Sequence, residues 1–162
     1  MTDTHSGRTG PPSGHELDAP PWSRVEGTLI STAQAVRAVY DHAFKDLGIS
    51  LVEATILANL AVSGALTQVD LARELRTGKA RIGVYIDHLE ARGFVVRNAD
   101  PADRRVWRVA LTDTGRMTWE QSVEVDRRVR SSLREGTTAA ERAVLDAVLL
   151  QIERNARQIL GR

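Results

Sequence analysis

Twenty of the 22 basic residues in this chain are arginine; only Lys45 and Lys79 are lysine. A guanidinium is a planar fork of donors that meets phosphate oxygens and base edges two bonds at a time, where an ammonium offers a point charge. A GC-rich coding genome produces the same bias, so the arginines gain meaning only from where they stand. Between residues 76 and 108, eight basic residues (Arg76, Lys79, Arg81, Arg92, Arg97, Arg104, Arg105, Arg108) face four acidic ones (Asp87, Glu90, Asp100, Asp103). That window carries +4 and the remainder −3, a contrast hidden by the overall +1. A basic stripe on a near-neutral chain is the electrostatic footprint of a phosphate-binding face.

Other chemistries are poorly served. The chain has no cysteine. This excludes disulfides, thiolate zinc sites, iron–sulfur clusters, cysteine nucleophiles and thiol redox sensing. His5 and His15 lie in a Pro- and Gly-rich N-terminal stretch, and His42 and His88 are far apart, none within an acidic–histidine cluster of metal-site type. No motif announces a serine, histidine and acid arrangement. We therefore expect no catalytic residue, no metal and no cofactor.

The elements that must position the arginines follow from apolar period and punctuation. Four of the five prolines lie in residues 1–21, which have no apolar period and read as a disordered tail. That tail lacks a signal-peptide core, and no stretch suits a membrane span, so a cytoplasmic protein is expected. From 22 to 48, Val25, Leu29, Ala33, Val36, Tyr40, Ala43 and Leu47 recur at helical spacing up to Gly48. Ser50 with Glu53 forms a capping box for a second helix that ends at Ser63-Gly64. Thr67 begins a third, Arg76-Thr77-Gly78 is a short turn, and Ile82, Ile86 and Leu89 mark a fourth helix closed by Gly93. The period then changes. Phe94 to Arg97 and Val106 to Leu111 are β-prone on either side of the turn cluster Asn98-Ala99-Asp100-Pro101, which predicts a two-stranded hairpin with Trp107, Val109 and Leu111 on one face. Thr112 caps a fifth helix to about Leu133, and Thr138 with Glu141 opens a last one carrying Leu145, Val148, Leu149, Ile152, Ala156, Ile159 and Leu160. The fold class is mainly α with a small β-hairpin wing.

Helix, short turn, helix and hairpin is the order of a winged helix-turn-helix, whose second helix can enter a major groove while the hairpin reaches the neighbouring backbone or minor groove. The string Asp100-Pro101-Ala102-Asp103-Arg104-Arg105, then Val109-Ala110-Leu111-Thr112-Asp113-Thr114-Gly115, resembles the D-x-R…L-T-x-x-G signature of the MarR family of bacterial transcription regulators. Leu66-Thr67-Gln68 with Leu71-Ala72, and Leu89-Glu90-Ala91-Arg92-Gly93, match the same family in the same order. The close match runs from about Leu51 to Gly115.

The resemblance implies a homodimer in which residues 22–48 and 113–162 form the dimerisation helices and 50–112 the DNA-binding lobe, each lobe reading half of a pseudopalindromic operator in double-stranded DNA. It implies that Arg105 enters the minor groove and that Asp103 orients it, with Arg104 on a phosphate. On the recognition helix, Lys79 and the helix N-terminus suit a phosphate, Arg81 a guanine edge, and Thr77, Ala80 and Tyr85 complete the face. Gly78, Gly83 and Val84 stand where many relatives carry Ser, Thr or Arg, which points to thinner direct base readout. Tyr85 fits the core as well as the groove. Arg97, a further DNA candidate, and Arg92 fit equally well as solvated charges. The resemblance also implies a small aromatic or anionic effector between the dimer helices and the lobe, for which Trp22, Arg37, Tyr40, His42 and Phe44 offer an aromatic wall and a cation. Packing of the dimer is the competing role for those five. Without cysteine, a thiol-based peroxide sensor of the family's kind is excluded. The expected function is a ligand-responsive repressor; a DNA-binding regulator without an effector and a helical dimer acting through protein partners are the alternatives.

Overall fold

The computed structural model describes residues 19–20 and 24–161. Helix α1 runs Val25–Ala43 and continues as a 3-10 turn, Lys45–Leu47; α2 is Leu51–Ser63, β1 Leu66–Thr67, α3 Gln68–Glu74 and α4 Lys79–Ala91. Strands β2 (Val95–Ala99) and β3 (Trp107–Leu111) follow, then α5 (Asp113–Leu133) and α6 (Ala139–Ile159). The expected disorder of residues 1–21 falls almost wholly outside the described residues.

Local chemistry sets most of these boundaries. The Ser50 hydroxyl accepts from the Glu53 amide at 3.3 Å while the Glu53 carboxylate accepts from the Ser50 amide at 2.8 Å. Thr138 and Glu141 repeat this box at α6. Thr67 caps α3 by accepting from the Asp70 amide at 3.1 Å. Each reciprocal cap satisfies donors that the first helical turn leaves without partners. Gly48, Gly64 and Gly93 end their segments with φ of 66°, 76° and 71°.

The wing differs from expectation in one respect. It is a three-stranded antiparallel sheet of order β1-β3-β2, because Leu66 and Thr67 pair with Val109 and Arg108 before the chain turns into α3. Two residues are too few to show an alternation, so the sequence period registers only their second role, capping α3. β2 and β3 pair as a hairpin from Val95↔Leu111 to Ala99↔Trp107. Val109 is buried and Leu111 half-buried on the predicted face, whereas Trp107, at the far end of that face, extends past the core and is 56% exposed.

The core joins α2, α3, α4 and the sheet around Ile56, Leu57, Leu71, Ile82, Ile86, Leu89 and Val109. Each such side chain contributes about 1.5–3 kcal/mol by leaving water. Ile82, Ile86 and Leu89 recur at helical spacing, which turns the opposite face of α4 outward.

α5 is seated on the wing by Gly115. The Thr112 hydroxyl accepts from the Gly115 amide at 3.0 Å and donates to the Gly93 carbonyl at 2.6 Å, while the Thr112 amide donates to the Phe94 carbonyl at 3.1 Å. This draws the first turn of α5 so close to β2 that a Cβ on residue 115 would lie 1.8 Å from the Phe94 carbonyl oxygen. The glycine of the L-T-x-x-G string is thus a packing requirement.

α6 stands apart from this core. None of its residues is buried, and Val144, Leu145, Val148, Leu150 and Ile159 are 43–86% exposed. α1 likewise leaves Val25, Ile30 and Val39 open to solvent.

Candidate nucleic-acid interface

The turn between α3 and α4 aims the fourth helix. Leu75 ends α3, Arg76 adopts a left-handed φ of 51°, and the Thr77 amide returns to the Ala72 carbonyl at 2.9 Å. The Gln68 side-chain amide donates to the Lys79 carbonyl at 2.8 Å and ties the start of α3 to the start of α4. It fits because Gly83 has no Cβ: one there would lie 2.8 Å from the Gln68 amide nitrogen.

With Ile82, Ile86 and Leu89 inward, Lys79, Ala80, Arg81, Val84, Asp87 and His88 face solvent. Gly78 caps α4 with no side-chain hydrogen bond, so the first amides of the helix stay open beside Lys79. Helix amides and an ammonium at one place suit a phosphate oxygen. Val84, 53% exposed in the middle of this face, escaped the sequence reading, where it counted only as a missing polar group. An exposed branched methyl pair has the shape and polarity to meet a thymine methyl. Its exposure could be found only by placing the buried stripe on the helix.

Asp100 shapes the start of the wing turn. Its carboxylate pairs with Arg108 and accepts from the Ala102 amide at 2.8 Å. Hydrogen bonding from Arg108, followed by that amide, holds the carboxyl below its ordinary value and keeps it ionised at neutral pH. Arg108 also donates to the Ala65 carbonyl at 3.2 Å, joining the wing to the turn before β1. Asp103 plays a different part from the one expected. Its Oδ1 accepts from the Arg105 backbone amide at 3.0 Å, so it shapes the turn and does not grip the Arg105 guanidinium. Arg104 and Arg105 are exposed at the tip, and among the described residues neither guanidinium has a recorded hydrogen-bond or ion-pair partner.

Several candidates are occupied elsewhere. Arg97, expected among the DNA contacts, pairs with both Asp87 and Glu90. Partial burial works against its charge, but the two carboxylates outweigh that and raise its pKa. Arg92 reaches Glu53 at 2.5 Å and the Gly48 carbonyl, and lies 5.3 Å from the centre of the Phe94 ring. Both arginines fasten α4 and the wing to the body of the lobe. Tyr85 is half-buried against the core and turns toward α1.

Tyr85 instead lines a cleft of about 510 Å³ between α1 and the lobe, with Arg37, Arg76, Thr77 and Arg81. Of the four expected ligand residues among the described residues (Arg37, Tyr40, His42 and Phe44), only Arg37 is here. Tyr40 is buried, its hydroxyl donating to Asp126 at 3.0 Å and its ring 5.7 Å from that of Phe44. Phe44 is 2% exposed and edges a separate apolar cleft with Trp119 and Asp126. Neither forms an open aromatic wall, because the end of α1 packs on α5. His42 is exposed in the last turn of α1, and Trp22 lies outside the described residues.

Among the described residues no group of His, Asp or Glu could hold a metal ion, and no helix is long and apolar enough to cross a membrane.

The family model described as "MarR family" matches residues 47–106, from the end of the first helical segment through the wing turn. An uncharacterized HTH-type transcriptional regulator of Bacillus subtilis, YdgJ, is 29% identical over 135 residues, 83% of this chain and 82% of that protein. The structure of Bordetella bronchiseptica BpsR, which concerns regulation of its DNA binding by 6-hydroxynicotinic acid, superposes with a TM-score of 0.75 at 26% identity, covering 82% of this chain and 94% of that one. A mutant MarR from E. coli complexed with operator DNA superposes with a TM-score of 0.72 at 26% identity, covering 78% and 91%. The fold and family are those of transcriptional regulators, not of enzymes. With α4 and the wing placed as they are, residues 47–106 match the MarR family, and the chain has the fold of that family's DNA-binding, winged helix-turn-helix transcriptional regulators.

Proposed function

We propose that the protein is a homodimeric repressor that binds a pseudopalindromic operator through α4 and the wing and is released by a small aromatic acid. The observation that carries the DNA contact is the pairing of a free wing tip, Arg104 and Arg105, with an uncapped α4 N-terminus flanked by Lys79 and Arg81. α4 spans the width a major groove admits, and an arginine at a wing tip suits the negative potential of a narrow minor groove. The exposed apolar residues of α1 and α6 support a second copy as their cover.

Arg105→Ala is expected to weaken operator binding by about 1–3 kcal/mol, roughly 5- to 150-fold, in a fluorescence anisotropy titration. Unchanged affinity at low salt would favour a dimer that acts through protein partners.

For the effector, the cleft between α1 and the lobe presents Arg37, Arg76 and Arg81 beside the Tyr85 ring. Arg76 is held by Glu153 and Arg37 lies 3.7 Å from Asp41, so Arg81, which has no ion pair among the described residues, and the Tyr85 ring are the groups that suit a carboxylate on a flat ring, with Arg37 beside them. BpsR, whose DNA binding is regulated by 6-hydroxynicotinic acid, is a structural relative in which that ligand class occurs. A ligand held at 100 times its Kd adds about 2.7 kcal/mol to stability, so a screen of aromatic acids is expected to yield one that raises the melting temperature by several degrees. That rise should shrink with Arg37→Ala. A screen in which none moves the transition favours a regulator without an effector.

A further inference from the structure

α6 meets the DNA-binding lobe through one recorded polar bridge. Arg76, in the turn that launches α4, donates to the Glu153 carboxylate at 2.5 Å, and Arg157 donates to the same oxygen at 2.7 Å. Among the described residues, no other hydrogen bond or ion pair is recorded between α6 and residues 51–111. The bridge crosses open space: a cleft of about 630 Å³ lies between the end of α3, the turn and α6, bordered by Ala72, Gly78, Ala156 and Leu160.

The residue at the lobe end of this bridge is unusual. Arg76 is the one non-glycine among the described residues with a positive φ, at a position where a helix ordinarily ends on glycine. A side chain in that backbone region persists where its surroundings hold it. Three residues later α4 begins, so the path of the chain at Arg76 sets the direction in which the recognition helix leaves α3.

We propose that Arg76 and Glu153 form a positioning strut that fixes the angle of the recognition helix against α6, and through it the separation of the two recognition helices in a dimer. The strut rests on the reading of α4 as the DNA-reading helix. Exposed ion pairs contribute little to global stability. This one acts on geometry, because it holds two bodies that pack little against each other.

The test starts from an operator selected with the full-length protein, then varied in half-site separation by one and two base pairs. Each added pair moves a half-site about 3.4 Å along the axis. The wild type is expected to lose about tenfold in affinity per base pair of displacement, since two-fold readers demand a fixed spacing. Glu153→Gln and Arg76→Gly are expected to flatten that loss to about threefold or less, with salt dependence unchanged and no loss of melting temperature. Arg76→Gly accepts the positive φ without strain, so a shared phenotype assigns the effect to the strut and not to the backbone. Arg76→Lys should retain most of the discrimination. Variants that discriminate as sharply as a discriminating wild type overturn the strut alone. A wild type that retains no DNA overturns the strut together with the DNA-binding interface.

Discussion

Raising salt from about 50 to about 200 mM is expected to weaken operator binding by about 10⁴-fold. Each lobe offers DNA four cations that have no ion pair among the described residues: Lys79 and Arg81 at the start of α4, and Arg104 and Arg105 at the wing tip. Two lobes give about eight, each releasing close to one counterion, so log affinity should fall with log salt at a slope of about −7. The structure also divides the arginines. Arg104→Ala, lost from both copies, should make that slope shallower by about 2. Arg97→Ala should leave it unchanged, because Asp87 and Glu90 already neutralise that guanidinium. Anisotropy titrations at five or six salt concentrations measure all three slopes. A wild-type slope shallower than about −2 would show that this face does not track a phosphate backbone.

The second large effect is on stability. Gly115→Ala places a methyl group 1.8 Å from the Phe94 carbonyl oxygen, a backbone atom that cannot swing aside. The first turn of α5 must then lift from β2, breaking the Thr112 contacts to Gly93 and Phe94. Overpacking of this kind costs about 3 kcal/mol, the upper end of the usual range, and lowers the melting temperature by roughly 6–12 °C for a chain of this size. Gly83→Ala is the control. Its Cβ would meet only the end of the Gln68 side chain, which can rotate away, and alanine is the better helix former by about 1 kcal/mol. Differential scanning calorimetry of the two variants should separate them clearly. A Gly115→Ala protein that melts within about 2 °C of the wild type would mean that α5 can shift without loss.

The same glycine bears on how a signature string should be understood. Leu111 to Gly115 carried the family resemblance, yet Thr112 and Gly115 act in packing and capping, far from any groove-reading role. Asp103 gives a related lesson at the wing: its short side chain closes the turn on the Arg105 amide, and the guanidinium it was expected to hold is left free. A motif records which residues occur together. Which of them touch a ligand depends on what the fold places beside each.

By itself the sequence determined nearly every helix boundary, because caps and left-handed glycines act within four residues of the ends they make. Ser50 with Glu53, Thr138 with Glu141 and Gly48 are all such local devices. It also determined the basic stripe, the wing and the inward stripe of α4, since period and charge are properties of neighbours along the chain. Only the tertiary structure decided which charges are free. Arg97 is tied to Asp87 and Glu90, Arg92 to Glu53, and Arg76 to Glu153, over separations from 7 to 77 residues. It alone made β1 a strand, buried Tyr40 and Phe44, exposed Val84 and brought Arg37 to the cleft that Arg81 and Tyr85 line. The reason is physical. A helix end is satisfied by atoms a turn away, whereas the partner of a long charged side chain is whichever group folding brings within its reach.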